Sequence, residues 1–143
     1  MTGRLGGSIS GHHLDFVPRL NEGRWLAETA RVSAMMDVSD GLGSDLPRLA
    51  RASGCGFEVD LAGLPLRKGS DISAALTDGE DYELLFAIPP RKAAALLKTW
   101  KTAFPRTLLT GIGKLNASRS APPDWPGGWD HFHPGLRSAI QAR

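Results

Sequence analysis

The stretch Met35-Met36-Asp37-Val38-Ser39-Asp40-Gly41-Leu42-Gly43-Ser44-Asp45 places three carboxylates, two hydroxyls and two glycines after an apolar run. Residues 33–38 predict a short buried strand, and the glycines with Asp45 predict a tight turn into a helix. Asp37 and Asp40 would then face a helix N-terminus, whose backbone N–H groups suit an anion. Mg²⁺ can link such carboxylates to phosphate, because it takes oxygen ligands and only one or two from protein. The stretch therefore predicts a Mg-nucleotide site.

Helix capping is the alternative interpretation of the same residues. Asp, Ser and Gly are common at helix starts, where a side-chain oxygen accepts from free N–H groups and an early acid meets the helix dipole. Pro47 fits only near a first turn, so the regular helix is expected to start near Ser44. On this stretch alone both interpretations stay open.

A second stretch, Leu76-Thr77-Asp78-Gly79-Glu80-Asp81-Tyr82-Glu83-Leu84-Leu85-Phe86-Ala87-Ile88-Pro89-Pro90, begins acidic and ends apolar. Asp78-Gly79 marks a tight turn, residues 82–88 predict a strand covered on both faces, and the prolines end it. Glu80 and Asp81 are then expected at the start of a buried strand. A solvated loop is the alternative for this acidic cluster.

Four landmarks taken together match a family pattern. They are Thr2-Gly3-Arg4-Leu5-Gly6-Gly7-Ser8, Asp37-Val38-Ser39-Asp40-Gly41-Leu42, Gly79-Glu80-Asp81-Tyr82-Glu83-Leu84 and Gly128-Trp129-Asp130-His131-Phe132. In their order and spacing, the chain resembles the C-terminal half of the thiamine-monophosphate kinases, a family of the aminoimidazole ribonucleotide synthetase superfamily. The resemblance runs from residue 3 to about residue 132.

The resemblance implies an α+β fold, a layered sheet-and-helix domain like the C-terminal domain of that superfamily. It also implies Mg²⁺-dependent transfer of the γ-phosphoryl group of ATP to thiamine phosphate. By position, Asp37 and Asp40 correspond to magnesium ligands, Ser39 to a contact with the ATP phosphates, and Glu80 and Trp129 to contacts with thiamine phosphate. No catalytic acid or base is expected, since a phosphate monoester with a second pKa near ~6 is already largely anionic at neutral pH.

Trp129 also has a physical argument of its own. An indole face can stack on the aminopyrimidine of thiamine and attract its cationic thiazolium, although a packing role in the tail is the alternative. Asp45 and Asp81 are further candidates, with turn or cap roles as alternatives. His131 is expected to orient the chain around Trp129, and neither His12-His13 nor the pair His131 and His133 has a recognised metal-ligand spacing.

The chain is expected to form a single domain over residues 1–143, with 1–11 as a flexible approach and 114–143 as a Pro/Gly-rich tail carrying Trp129. The resemblance implies that an N-terminal domain, which supplies further metal-binding aspartates and much of the ATP site, is missing here. The chain is therefore expected to need that domain for activity. The alternatives are a non-catalytic binding or interaction module that keeps the fold, or another ATP-dependent enzyme of the superfamily.

Composition argues against several other classes of protein. The 17 basic and 15 acidic residues give a net charge of +2, and the basic residues are scattered rather than clustered as on a nucleic-acid surface. The single Cys55 excludes an intrachain disulfide framework and a zinc cluster. No stretch reaches membrane-spanning length and no secretory signal is present, so the sequence predicts no membrane partner and a cytoplasmic location.

Periodicity predicts the remaining elements. Helices are expected over residues 22–31 with Asn21 as cap, over 71–76, and over 90–103 with Ala94, Leu97 and Trp100 facing inward. Strands are expected over residues 57–61 and 107–112. This order of helices and strands suggests one sheet covered by helices.

Overall fold

The computed structural model describes residues 1–127, and its mixture of helices and small antiparallel sheets confirms the α+β class. A 3₁₀ turn over His12–Leu14 comes first, followed by α1 (Leu20–Trp25), which continues as a π-helix over Leu26–Ala30. The other α-helices are α2 (Leu42–Ala52), α3 (Ile72–Thr77) and α4 (Pro90–Ala103). The strands are β1 Ala34–Asp37, β2 Gly56–Val59, β3 Leu84–Ala87 and β4 Gly113–Asn116. Among these residues, no helix is both long and apolar enough to cross a bilayer.

The strands form two separate antiparallel pairs. β1 pairs with β3, with Asp37 opposite Leu84, and β2 pairs with β4, with Val59 opposite Gly113. The expectation of one sheet covered by helices is therefore wrong within residues 1–127. The β1–β3 ribbon is the part of the fold that carries both acidic stretches.

Apolar side chains cover both faces of the β1–β3 ribbon. On one face Met36 and Leu85 pack into the larger core, together with Leu42, Leu46 and residues from most of the domain. On the other face Met35, Leu84 and Phe86 pack into a smaller core around Leu26, Leu96 and Trp100. Successive strand side chains point to opposite faces, which explains why an apolar run without alternation forms this two-sided ribbon.

Helix α2 accommodates a proline near its start. It begins at Leu42, two residues before the expected Ser44, and Pro47 lies inside it. Proline has no N–H to donate to the carbonyl group four residues earlier, that of Gly43. The indole Nε1 of Trp125 donates to this Gly43 oxygen instead, at 2.8 Å. The helix therefore continues through Pro47, and the segment around Trp125 is attached to its first turn.

Residues 1–8 have more structure than the expected flexible approach. Thr2 donates from its N–H to the Leu84 oxygen at 2.9 Å, and its hydroxyl accepts from the Leu84 N–H at 2.8 Å. Leu5 is fully buried in the larger core. The glycines of this segment suggested a loose approach, whereas its contacts with distant residues fix it against β3.

Two other local expectations are also wrong. Residues 107–112 contribute an isolated bridge between Leu109 and Thr2 rather than a strand, and β4 begins only at Gly113. Helix α1 begins at Leu20 with Arg19 at the cap position, so Asn21 is not its cap.

The bounds of α4 match the expected 90–103, but its inward face is displaced. Leu96 and Trp100 are buried, whereas Leu97 is 43% exposed. Because Leu96 and Leu97 are adjacent and both apolar, periodicity alone did not distinguish the buried leucine.

Candidate functional site

Two loops meet at one end of the β1–β3 ribbon: the aspartate loop, residues 37–41, and the glutamate loop, residues 78–83. Their pairing continues beyond the strands. The backbone N–H of Val38 donates to the carbonyl oxygen of Glu83, and the backbone N–H of Tyr82 donates to the carbonyl oxygen of Val38, both at 2.8 Å. The backbone N–H of Glu80 donates to the carbonyl oxygen of Ser39 at 2.7 Å. Residues expected to contact metal, ATP and substrate therefore lie side by side.

Glycines permit this close approach. Gly79 has φ of +70°, and a Cβ there would lie 2.7 Å from the Ser39 carbonyl oxygen. Gly41 has φ of +87°, and a Cβ there would overlap the Leu76 carbonyl oxygen. The positive φ and the close contact at each glycine mean that any larger residue there would be strained. Gly79 is therefore explained by the contact between the two loops, and Gly41 by the close approach of the aspartate loop to the end of α3.

Asp45 holds the aspartate loop from within the protein. Its side chain is fully buried, and its Oδ2 accepts from the backbone N–H groups of Ser39 and Asp40, both at 2.9 Å. Its Oδ1 accepts from Arg48 Nη1 at 2.8 Å. Burial raises the pKa of Asp45, and the hydrogen bonds from Asp40, Arg48 and Ser39 oppose that rise. The N–H groups of Ser39 and Asp40 are thus already bonded to Asp45.

The predicted metal ligands lie at the accessible side of this loop. Asp37 is exposed at the end of β1, while Ser39 and Asp40 are partly exposed. The Asp40 carboxylate forms an ion pair with Arg48 Nη1. Within residues 1–127, no three His, Cys, Asp or Glu side chains come together as a metal centre. Two carboxylates nevertheless fit Mg²⁺, which commonly takes one or two from protein and completes its shell with water and phosphate oxygens.

Glu80 projects from the glutamate loop with an unusual backbone. Its side chain is exposed, and φ is +54° at Glu80 and +50° at Tyr82. The Tyr82 ring stacks on Phe16, with ring centroids 4.3 Å apart. Left-handed conformations at non-glycine residues persist where surrounding contacts enforce them, and they are frequent at binding sites. The predicted substrate residue is thus accessible on a loop whose shape is fixed by its neighbours.

Beneath the glutamate loop lies a buried ionic cluster. Glu83 is 2% exposed, and Arg19 donates to both of its carboxylate oxygens at 2.8 Å, through Nε and Nη2. The hydroxyl of Thr2 donates to Glu83 Oε2 at 2.8 Å. A Cβ at Gly3 would overlap this carboxylate. Thr2 and Gly3, from the first of the four landmarks, therefore pack against Glu83, from the third.

Asp81 is buried beside the same cluster. Its carboxyl oxygens have no hydrogen-bond partner among the described residues, and its Oδ1 lies 4.0 Å from Arg67 Nε. Burial raises the pKa of Asp81 to about 7, against the opposing charge of Arg67. Asp81 is therefore an interior group of the loop rather than a solvated turn residue.

Trp129 and His131 lie outside the described residues. Gly127, the last of the described chain, passes close to the start of α2, since a Cβ on Gly43 would lie 2.7 Å from the Gly127 oxygen. The described chain therefore ends beside the helix that follows the aspartate loop.

Sequence reasoning missed Arg48 and Arg19. Arg48 follows Asp45 by three residues on α2, so helical spacing of opposite charges could have indicated their contact. Arg19 lies far from Glu83 in sequence, and no local pattern indicates their pairing.

Comparisons with known proteins agree with the fold and its motifs. Residues 9–118 match the family model described as AIR synthase related protein, C-terminal domain. The thiamine-monophosphate kinase of Rhodopirellula baltica is 36% identical over 126 residues, covering 80% of this chain and 38% of the relative. That of Salmonella typhimurium is 38% identical over 136 residues, covering 84% and 41%. The chain thus spans about two fifths of these relatives.

Solved structures show the same likeness. The crystal structure of thiamine-monophosphate kinase from Stenotrophomonas maltophilia K279a has a TM-score of 0.74 at 25% identity, covering 88% of this chain and 49% of that one. A structure described as AaThiL complexed with AMPPCP and TMP has a TM-score of 0.60 at 30% identity, covering 91% and 49%. The expected resemblance to the thiamine-monophosphate kinases is confirmed, and the chain belongs to the family of AIR synthase related protein, C-terminal domain.

Proposed function

We propose that this chain is the C-terminal part of a thiamine-phosphate kinase that transfers the γ-phosphoryl group of ATP to thiamine phosphate. The observation that carries the proposal is the hydrogen bond from the Glu80 N–H to the Ser39 oxygen, which joins the two loops. The names of the relatives, and the complex of one structural neighbour with AMPPCP and TMP, support the same reaction.

In the reaction, an oxygen of the thiamine phosphate group forms a bond to the γ-phosphorus of ATP. The bond between that phosphorus and the bridging oxygen breaks, giving thiamine diphosphate and ADP. The attacking oxygen is largely anionic at neutral pH, so no side chain has to remove a proton. The protein's task is to hold two anionic groups in line, which is the main requirement of phosphoryl transfer.

Within this scheme the aspartate loop serves the metal and ATP. Asp37 and Asp40 would hold Mg²⁺, and Ser39 would contact the ATP phosphates. Bound Mg²⁺ would neutralise charge on the transferring phosphoryl group. Asp37 and Asp40 would supply two carboxylates, and the remaining ligands would come from ATP, water and other parts of the enzyme.

The substrate contacts come from the glutamate loop and the tail. Glu80 is accessible beside Ser39, where a carboxylate can attract the cationic thiazolium of thiamine phosphate. Trp129 follows Gly127 by two residues and would stack on a thiamine ring. The close approach of Gly127 to Gly43 supports this assignment, because Gly127 lies beside the beginning of α2 and precedes Trp129 by two residues.

An N-terminal kinase domain is the proposed partner of residues 1–143, which we treat as one domain. The chain covers 38% to 41% of its relatives, so most of their length is outside it. Next to the site, Phe16 stacks on Tyr82 within a segment whose apolar side chains are strongly exposed. These side chains, each at least 69% exposed, are Ile9, Leu14, Val17 and Leu20. Such an apolar surface suits cover by the rest of the kinase.

The proposed location is the cytoplasm, where ATP is available and the single Cys55 would remain reduced.

The decisive experiment measures thiamine diphosphate formed from Mg-ATP and thiamine phosphate. The chain is assayed alone and together with the N-terminal part of the Rhodopirellula baltica relative, and calorimetry measures binding of each substrate. Product in the mixture supports the proposal, and substitution of Leu14 and Val17 by serine should reduce it more than Leu108→Ser. Binding without product in either sample favours the non-catalytic module, and no binding at all overturns the kinase assignment.

A further inference from the structure

We infer that Arg48 is an internal counter-ion that Asp40 exchanges for the metal, while Asp45 is a positioning residue that keeps both Arg48 and the aspartate loop in place. The inference rests on the proposed function for the identity of Asp40 as a metal ligand. It assigns roles to two residues outside the predicted ligand set.

The geometry of Arg48 carries the first step. A single nitrogen, Nη1, contacts Oδ2 of Asp40 and Oδ1 of Asp45. The guanidinium nitrogen carries two hydrogens, so it can donate to both carboxylates at once. Arg48 therefore holds the metal-ligand candidate and the buried carboxylate with one group.

The two contacts differ in burial. The side chains of Arg48 and Asp40 are 46% and 25% exposed, whereas that of Asp45 is fully buried. Exposed ion pairs are weak, because water screens them and side-chain freedom is lost. Removing one partner from a buried pair is far more costly. A divalent cation can therefore displace Arg48 from Asp40 more easily than from Asp45.

The backbone contacts of Asp45 carry the next step. Its second oxygen accepts from the N–H groups of both Ser39 and Asp40 at 2.9 Å. These bonds fix the main chain of the loop independently of where the Asp40 carboxylate points. Asp40 can thus exchange partners by side-chain rotation, without movement of the loop.

The exchange has a measurable consequence for metal affinity. Because Arg48 and the metal compete for Asp40, Arg48→Gln should bind Mn²⁺, used as a probe for Mg²⁺, about two- to fivefold more tightly than the unchanged chain. Arg51→Gln is the matched control, because it removes the same charge from an exposed position one turn along α2. Asp45→Asn should weaken Mn²⁺ binding, since an amide does not neutralise Arg48. Electron paramagnetic resonance measures the concentration of free Mn²⁺ in each titration.

A second measurement uses the unchanged chain. During Mg²⁺ titration followed by ¹⁵N nuclear magnetic resonance, the Arg48 side-chain signal should shift while the Ser39 and Asp40 amide signals remain in their hydrogen-bonded positions. Equal Mn²⁺ affinity of Arg48→Gln and Arg51→Gln, with binding still lost in Asp40→Asn, would overturn the inference and leave the proposed function standing. Absence of metal binding in the unchanged chain would overturn the metal role of Asp40 and this inference together.

Discussion

The Glu80 N–H donates to the Ser39 carbonyl oxygen at 2.7 Å, which places the predicted substrate contact directly beside the predicted ATP contact. This bond lies just beyond the β1–β3 ribbon, so the ribbon's register determines which loop residues meet. A shift of one strand by one residue would move its side chains to the opposite faces of the ribbon, into the wrong one of the two cores.

The proposed metal role of the aspartate loop predicts that substitutions there change ligand binding without changing stability. Asp37→Asn and Asp40→Asn should each weaken binding of Mg-AMPPCP by at least about tenfold, because a neutral amide loses charge attraction to Mg²⁺. Calorimetry measures the binding, and thermal unfolding should change little, since Asp37 is exposed and Asp40 is partly exposed. Asp60→Asn, on an exposed position far from the two loops in sequence, is the control. Unchanged affinity in both variants would count against the metal assignment.

Gly79→Ala tests the contact between the two loops. The new Cβ would lie 2.7 Å from the Ser39 oxygen, so the loops must separate. Gly69→Ala is a close control, because Gly69 has φ of +83° but no neighbour within 4 Å of its Cβ position. We expect Gly79→Ala to lower the free energy of unfolding by about 1–3 kcal/mol more than Gly69→Ala, and to weaken thiamine phosphate binding. Equal effects would show that crowding at Ser39 is unimportant.

Glu83→Ala tests the buried ionic cluster. Loss of this carboxylate leaves Arg19 and the Thr2 hydroxyl without their partner in the interior. Breaking a buried pair in this way typically costs about 3–5 kcal/mol, which denaturant unfolding would measure. Glu58→Ala removes an exposed pair with Lys114 and should leave the unfolding temperature unchanged. Similar behaviour of the two variants would contradict the structural role of Glu83.

The raised pKa of Asp81 predicts that the stability of the chain depends on pH. Its folded pKa of about 7 lies above the ordinary value of 3.8, so the folded chain binds this proton more tightly than the unfolded chain. The resulting stabilisation is complete below about pH 4 and is lost as pH rises towards and past 7. In Asp81→Asn, the fall in unfolding free energy between pH 4 and 8 should be smaller than in the unchanged chain. Parallel curves for the two proteins would refute the raised pKa.

A double-mutant cycle tests the link between Trp125 and Pro47. Trp125→Phe removes the donor to the Gly43 oxygen and should cost about 1–3 kcal/mol of unfolding free energy. Pro47→Ala restores a backbone N–H that can donate to the same oxygen, so Trp125→Phe should cost less in that background. Additive costs would mean that the indole acts only through packing against Phe57.

Local sequence signals predicted the elements whose ends are set by nearby residues. The Pro89-Pro90 pair predicted the end of β3, because proline cannot continue a strand interior. It also predicted the start of α4, because proline fits the first turn of a helix. The glycines and acids of the two loops likewise indicated turns at the ribbon's end. The local pattern around Asp37 and Asp40 left both a Mg-nucleotide site and helix capping open, and the resemblance to a family favoured the metal role and added the expected ATP contact of Ser39.

Contacts between distant residues could not be predicted in this way. Thr2 and Gly3 lie against Glu83, and Arg19 reaches the same carboxylate, although neither segment carries a periodic pattern. Strand β4 pairs with β2 and begins at Gly113, beyond the strand expected over residues 107–112. Such pairings depend on the three-dimensional arrangement of the whole domain, where tertiary contacts override local propensity.

The two-sided burial of the β1–β3 ribbon has a consequence for motion. Because the larger core covers one face and the smaller core the other, the ribbon cannot tilt towards either side without opening a packed interior. Its hydrogen-bonded amides should be among the last to exchange with solvent deuterium, with Met36 and Leu85, which lie opposite each other, near the slow limit set by global unfolding. Ligand-driven movement would then be restricted to side chains and loop tips, and the ribbon would act as the fixed frame against which they move.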